Sequence, residues 1–238
     1  MLQIEVFTIF AGVMWPFRKK KTADLSAELS GIRFRNPVGL FLPQGSLIEK
    51  YGRLRKQAGF ITAVPPKDNI ITWISNFKNT FQGEITAVEI AEDITRNFSL
   101  AYDFADILII NPDGNEGINA MDISDTVTLL DSLLNLRLCY EKYTPVYLRV
   151  SEAVTHDELK TILTYCRLAG VDGMVAPPQK VEAIRDLTEG RFPIIAYATT
   201  PEDALKSLKS GAELVEMQSR LWQLAKLLKE LEKGALEQ

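Results

Sequence analysis

The sequence predicts an α/β fold, a (β/α)8 barrel, on three observations. From residue 26 onward short β-branched runs alternate with longer segments of helical period, the pattern of βαβ units in a parallel sheet. The alternation reaches eight strands and eight helices and stops, a count that a doubly wound open sheet, the competing architecture, does not explain. The chain has 238 residues, 46% hydrophobic and 24% charged, close to the smallest barrel of this kind and enough for a sizeable core.

The elements follow in order. "VGLF" (38–41) and "FITAV" (60–64) read as the first two strands, with helical period over 45–58 between them and over 68–80 after them. "ITAVEI" (85–90) leads into a helix over 92–103, and "ADILII" (105–110) into a loop and a helix over 120–140. "PVYLRV" (145–150) precedes a helix over 156–168 that Thr155 caps and Gly170 stops. "VDGMVA" (171–176) precedes a helix over 179–188. "PIIAY" (193–197) runs into Thr200-Pro201-Glu202-Asp203, an N-cap with proline at the first helical position, opening a helix over 201–210 that ends at Gly211. "AELVEM" (212–217) and a helix over 219–234 complete the set; the stripe Leu221, Trp222, Leu224, Ala225, Leu227, Leu228 and Leu231 packs on the barrel or, if wider, joins two copies in a homodimer.

Composition excludes several functions. A net charge of −4 gives no basic field for nucleic acid. Cys139 and Cys166 lie in helical patterns with no CxxC, which suits buried thiols in a reducing, cytoplasmic setting rather than a disulfide or a metal. The single histidine, His156, falls at a helix start, so Ser-His-Asp chemistry and His-rich metal sites are not expected. "MLQIEVFTIFAGVMWPF" is apolar and followed by Arg18 and Lys19 to Lys21, shorter than the roughly 20 residues a spanning helix needs. Three readings of residues 1–21 stand: a peripheral membrane anchor, an extension that packs on the domain, or a start codon called too early, with Met14 rather than Met1 the true start.

"LSAELSGIRFRNPVGL" (25–40) resembles the dihydroorotate dehydrogenase family, flavin-dependent barrels of pyrimidine synthesis. Leu25, Ser26, Gly31, Phe34, Asn36, Pro37, Gly39 and Leu40 match a family pattern in which a short β-hairpin closes the barrel bottom and leads into the first strand. "YDFADILIINPDGNEG" (102–117) is similar to the family's fourth strand and catalytic loop, and the later strands continue in register to about residue 220. The resemblance implies an N-terminal extension over 1–24 and a dihydroorotate dehydrogenase-like barrel over 25–238, with FMN at the mouth.

At the functional positions the family's residues are largely replaced. Phe41 to Ser46 stand where the family has A-A-G-x-D-K, with Gly45 at a flavin-contacting position and Ser46 in place of the lysine. Asn111 is kept, but Pro112-Asp113-Gly114-Asn115 lacks the serine or cysteine base. Arg149 aligns with the fifth-strand lysine, and Pro177 to Lys180 with the T-N-T-T that binds orotate. Ala196-Tyr197-Ala198-Thr199 replaces the G-V-G-G whose N–H groups hold the flavin phosphate, and Ser219-Arg220 a second such turn. Each added Cβ fills space a phosphate needs near the backbone.

The expectation is therefore a dihydroorotate dehydrogenase-like barrel that has lost FMN binding and dihydroorotate oxidation, a pseudoenzyme that binds or scaffolds. In this reading Gly45, Arg149, Ala198, Thr199 and Ser219 are vestiges of the FMN site, and no cofactor is bound. One alternative is a diverged FMN-dependent oxidoreductase using Asp113 as base beside Asn111; as a plain turn, Pro112-Asp113-Gly114 needs no such role. Another is a flavin-free binder of a small anion, with Lys67, Arg149, Lys180 and Arg220 converging on the mouth. Glu89 and Glu216, lone acids in apolar strands, offer Arg149 an internal salt bridge instead.

Overall fold

A computed structural model describes residues 24–46, 51, 56–112, 114, 123–218 and 221–236. The expected N-terminal extension, Asp24 apart, lies outside them. The chain enters through a hairpin of β1 (Ala27–Leu29) and β2 (Ile32–Phe34). Ser30 and Gly31 in its turn both have positive φ, 49° and 76°, the two-residue turn whose twist matches antiparallel strands.

Eight parallel strands follow: β3 (Val38–Leu42), β4 (Phe60–Ala63), β5 (Thr86–Ile90), β6 (Ile107–Ile110), β7 (Val146–Arg149), β8 (Gly173–Ala176), β9 (Ile194–Ala198) and β10 (Leu214–Met217). Each pairs with the next, and β10 pairs with β3 through Val215 and Val38, so the sheet is closed and the open alternative is ruled out. Among the described residues seven helices surround it: α1 (Ile70–Thr80), α2 (Ile94–Ala101), α3 (Ile123–Arg137), α4 (His156–Ala169), α5 (Pro178–Leu187), α6 (Pro201–Lys209) and α7 (Leu221–Leu236). The helix expected over 45–58 falls largely outside those residues; its flanks, Gly45 and Lys56-Gln57, are turns.

The helix ends carry the chemistry expected of them. Thr155 caps α4 in a full capping box with Glu158, and Gly170 ends that helix at φ 84°. Leu224 and Leu227 of α7 are buried, with Leu228 and Leu231 packed beside them, so these residues of the stripe face the barrel. One expectation is corrected. Cys166 is buried, but Cys139 is exposed, because α3 ends at Arg137 and leaves Cys139 in the turn beyond instead of on an inward face. No helix among the described residues is long and apolar enough to cross a membrane.

Two cores result from strands that are apolar on both faces. The larger lies between sheet and helices; the smaller fills the barrel with Phe60, Ala87, Ile107, Ile109, Tyr147, Val175, Ile195 and Leu214. Large and small residues alternate across it: a Cβ on Gly173 would stand 2.3 Å from the Tyr147 ring, and one on Gly39 2.3 Å from that of Phe60. The hairpin plugs the bottom. Phe34 meets Phe60 edge to face at 5.6 Å, and Ser30 Oγ lies 2.7 Å from the Tyr147 hydroxyl. Burial, its largest influence, raises the pKa of that phenol.

The same device recurs at the bottom rim in every second unit. Asp106, just before β6, accepts the backbone N–H of Thr86 at the start of β5 (2.9 Å) and pairs with Lys78 of α1. Asp172, before β8, accepts from Val146 at the start of β7 (2.8 Å) and pairs with Arg137 of α3. Glu213, before β10, accepts from Ile194 at the start of β9 (2.8 Å) and pairs with Arg185 of α5. Each carboxylate thus ties two strands and one helix together at the base.

Candidate functional site

Strand alternation aims every second residue inward, and at the C-terminal end of the barrel the inward set turns from apolar to charged. Above Ala87, Tyr147 and Leu214 come Glu89, Arg149 and Glu216, two positions further along the same strands. Arg149 Nε donates to Glu89 Oε2 at 2.8 Å, and Nη2 donates to both Glu89 Oε2 and Glu216 Oε1. Asn111, kept just past β6, donates through Nδ2 to Glu89 Oε1 at 2.8 Å. The Arg149 guanidinium carbon lies 4.9 Å from the Tyr197 ring centre and 5.3 Å from that of Phe41, so two aromatic rings flank the cation.

Burial sets the electrostatics. The side chains of Glu216, Glu89 and Arg149 are 0%, 2% and 12% exposed. Desolvation alone would favour losing the Arg149 charge, but Glu89 and Glu216 reverse this and raise its pKa. For Glu216 desolvation wins: its pKa is raised despite the opposing pull of Arg149, and repulsion from Glu89 adds to the rise. Glu216 Oε2 has no hydrogen-bond partner, nor has Thr62 Oγ1 of β4, also buried. Thr62 is close enough to favour the Glu216 charge, yet the pair falls short of hydrogen-bond geometry. Burial likewise raises the pKa of the Tyr197 phenol, with Glu152 as the next cause.

These residues floor a cavity of about 470 Å³ whose walls include Pro43, Gln44, Gly114, Ala198, Thr199 and Gln218. Of the residues expected at the mouth, Asn111, Arg149, Ala198 and Thr199 meet here. Gly45 stands beside the cavity at φ 78° in a turn closed by Ser46 N–H on the Pro43 carbonyl (3.1 Å). Ser46, where the family has lysine, also turns its hydroxyl onto that carbonyl. Lys67 pairs with Glu92 at 2.9 Å, and Lys180 donates to the Val154 carbonyl; neither lines the cavity. Asp113, Ser219 and Arg220 lie outside the described residues. Sequence reasoning missed Phe41 and Tyr197 as the rings on Arg149, although their inward positions follow from strand alternation.

The turn after β9 runs directly into α6 through the cap residue Thr200. The first-turn donors of α6 are accounted for within the chain. Pro201 has no N–H, Asp203 N–H is held by Thr200 Oγ1 (3.1 Å), and the Glu202 carboxylate is kept low in pKa by Lys226 and its own backbone N–H. Glu202 and Asp203 already supply the negative charge a helix N-terminus favours. Glu202 and Asp203 thus place two carboxylates at the helix start that follows the turn of Ala198 and Thr199. Among the described residues no cluster of three or more His, Cys, Asp or Glu is placed to hold a metal.

No protein-family model matches the chain. A dihydroorotate dehydrogenase (quinone) of Christiangramia forsetii is 22% identical over 292 residues, covering 91% of this chain and 86% of its own. That aligned length exceeds the whole chain, so the relative carries segments within the match that this protein lacks. Among solved structures, the Eimeria tenella dihydroorotate dehydrogenase in complex with ferulenol superimposes with a TM-score of 0.71 at 14% identity, over 93% of this chain and 86% of the other. A lactate oxidase of Pediococcus acidilactici gives 0.64 at 16%, over 90% and 76%. Fold and comparisons together define a (β/α)8 barrel similar in fold to these proteins. Within that class the chain is dihydroorotate dehydrogenase-like.

Proposed function

We propose that this barrel has lost both FMN binding and dihydroorotate oxidation, and works by binding a small molecule or a protein at its mouth. The observation that carries the reading is Arg149. At the position where the family lysine faces the flavin, its guanidinium is tied to Glu89 and Glu216 and flanked by Phe41 and Tyr197, so the cation is engaged inside the chain. The acidic first turn of α6 supports the same conclusion at the phosphate end. Titration of the purified protein with FMN to about 1 mM, read by flavin absorbance and fluorescence, is expected to show no saturable change. Micromolar binding would overturn the reading in favour of a diverged flavin oxidoreductase, with Asp113→Asn as the next test of catalysis.

Flavin-free binding of a small anion is the second reading, favoured by one observation. Arg149 Nη1 has no hydrogen-bond partner among the described residues, and it is not one of their fully buried polar atoms.

A further inference from the structure

The open edge of Arg149 and the state of Glu216 belong to one arrangement. Glu89 is well served: its two oxygens accept from Asn111 Nδ2 and from Arg149 Nε and Nη2. Glu216 accepts only through Oε1; its fully buried Oε2 accepts no hydrogen bond, with the Thr62 hydroxyl near but short of hydrogen-bond geometry. With both acids ionised, two carboxylates share one guanidinium and the cluster carries a net negative charge. The groups around Glu216 are Glu89 from β5, Arg149 from β7, Thr62 from β4, and Tyr197 from β9 with Glu152 near it; Phe41 and Asn111 bring no charge. No second cation among the described residues lines the cavity.

A third carboxylate at the Nη1 edge would leave one guanidinium among three like charges in a poorly solvated place. Neutralising Glu216 removes one of them. Its Oε2 is the oxygen with no hydrogen bond to lose, and once protonated it becomes a donor beside Thr62 Oγ1, a buried oxygen that lacks a partner. We propose that the mouth binds a small monocarboxylate at the Nη1 edge of Arg149 and takes up one proton, on Glu216 Oε2, as it does so. The balance is protein with ionised Glu216, plus ligand carboxylate, plus one proton, giving a complex with neutral Glu216; no bond other than the O–H is made or broken. The cavity volume of about 470 Å³ and the Phe41, Pro43 and Ala198 walls suit a compact acid with an apolar body.

The proposal rests on the flavin-free reading, and the two fail separately because FMN binding is read by flavin absorbance and carboxylate binding by heat. Benzoate is titrated calorimetrically into the full chain between about pH 6 and 9, in paired buffers of different ionisation heat, with acetate, formate and uncharged benzamide alongside. Benzoate is expected to bind saturably, with affinity level at low pH and falling about tenfold per pH unit above the titration of Glu216, where about one proton is absorbed per ligand. Benzamide should absorb none. Glu216→Gln, which fixes the neutral form, should bind benzoate without pH dependence and at least about tenfold more tightly than wild type at the alkaline end. The wild-type buffer pairs decide the matter even if the variant does not fold. Benzoate binding without proton uptake would overturn the proposal, and so would the absence of saturable binding by all three acids up to about 20 mM.

Discussion

At the scale of single residues, the barrel mouth places a charge where apolar packing would be simpler. Replacing a buried ion triad by apolar groups is often neutral or stabilising, so the triad is weak evidence for stability by itself. Glu216 makes this testable through pH. Its folded-state pKa is raised above the ordinary carboxylate value, chiefly by burial, so the native state binds its proton more tightly than the unfolded chain does. The favourable contribution is therefore complete below the unfolded value of about 4.5 and is lost as pH rises through the folded value. Glu216→Gln should abolish that loss: thermal melts of wild type and variant diverge as pH increases, the variant melting higher at alkaline pH. Parallel curves would mean that Glu216 stays ionised throughout. Glu89 and Glu216 were visible in the sequence as lone acids in apolar strands, and their pairing with Arg149 was one of the alternatives read there. The flanking rings of Phe41 and Tyr197 were not, because each meets Arg149 from a strand distant in sequence, 108 residues away for Phe41 and 48 for Tyr197.

At the scale of elements, the bottom-rim carboxylates do work that the backbone ladder leaves undone. The first N–H of β7 faces Asp172, and Arg137 and the Tyr143 hydroxyl converge on the same carboxylate, whose side chain is 14% exposed. Burial first, and then the Asp172 carboxylate against the opposing pull of Arg137, raises the Tyr143 phenol to about 12. Asp172→Ala leaves a strand N–H and a guanidinium without their acceptor and should cost about 2–3 kcal/mol in urea unfolding. Asp106→Ala, at a rim position where both ion-pair partners are more exposed, should cost less. Equal losses at the two sites would show that burial does not set the value of the contact. Strand and helix boundaries were legible to within about three residues, because β-branched runs and caps such as Thr155 and Thr200 act locally. The rim carboxylates escaped notice because Asp106, Asp172 and Glu213 sit in short αβ turns, where an acid is ordinary, and each partner N–H lies some 20 residues or more away in sequence.

At the scale of the whole molecule, barrel and hairpin were readable from alternation and from the 25–40 motif, and the comparisons agree on the fold. The condition of the site was readable only as replacements: Tyr197-Ala198-Thr199 for glycines, Arg149 for lysine. The structure adds what surrounds those replacements, namely a helix start with its own carboxylates and an arginine held from two sides.

The three rim carboxylates also say where the chain tolerates being cut. Each lock joins a strand to the one before it, so β5–β6, β7–β8 and β9–β10 form latched pairs, while no such lock spans the step from β8 to β9. Two fragments divided at Glu189-Gly190, in the turn after α5, keep all three strand-to-strand ties and separate only Arg185 from Glu213. A division at Gly170-Val171 leaves Asp172 on one fragment and Val146 on the other. Co-expressed halves of the first kind should reassemble into a barrel and co-purify, those of the second far less well. Equal recovery would show that the latches do not define the units from which the barrel is assembled.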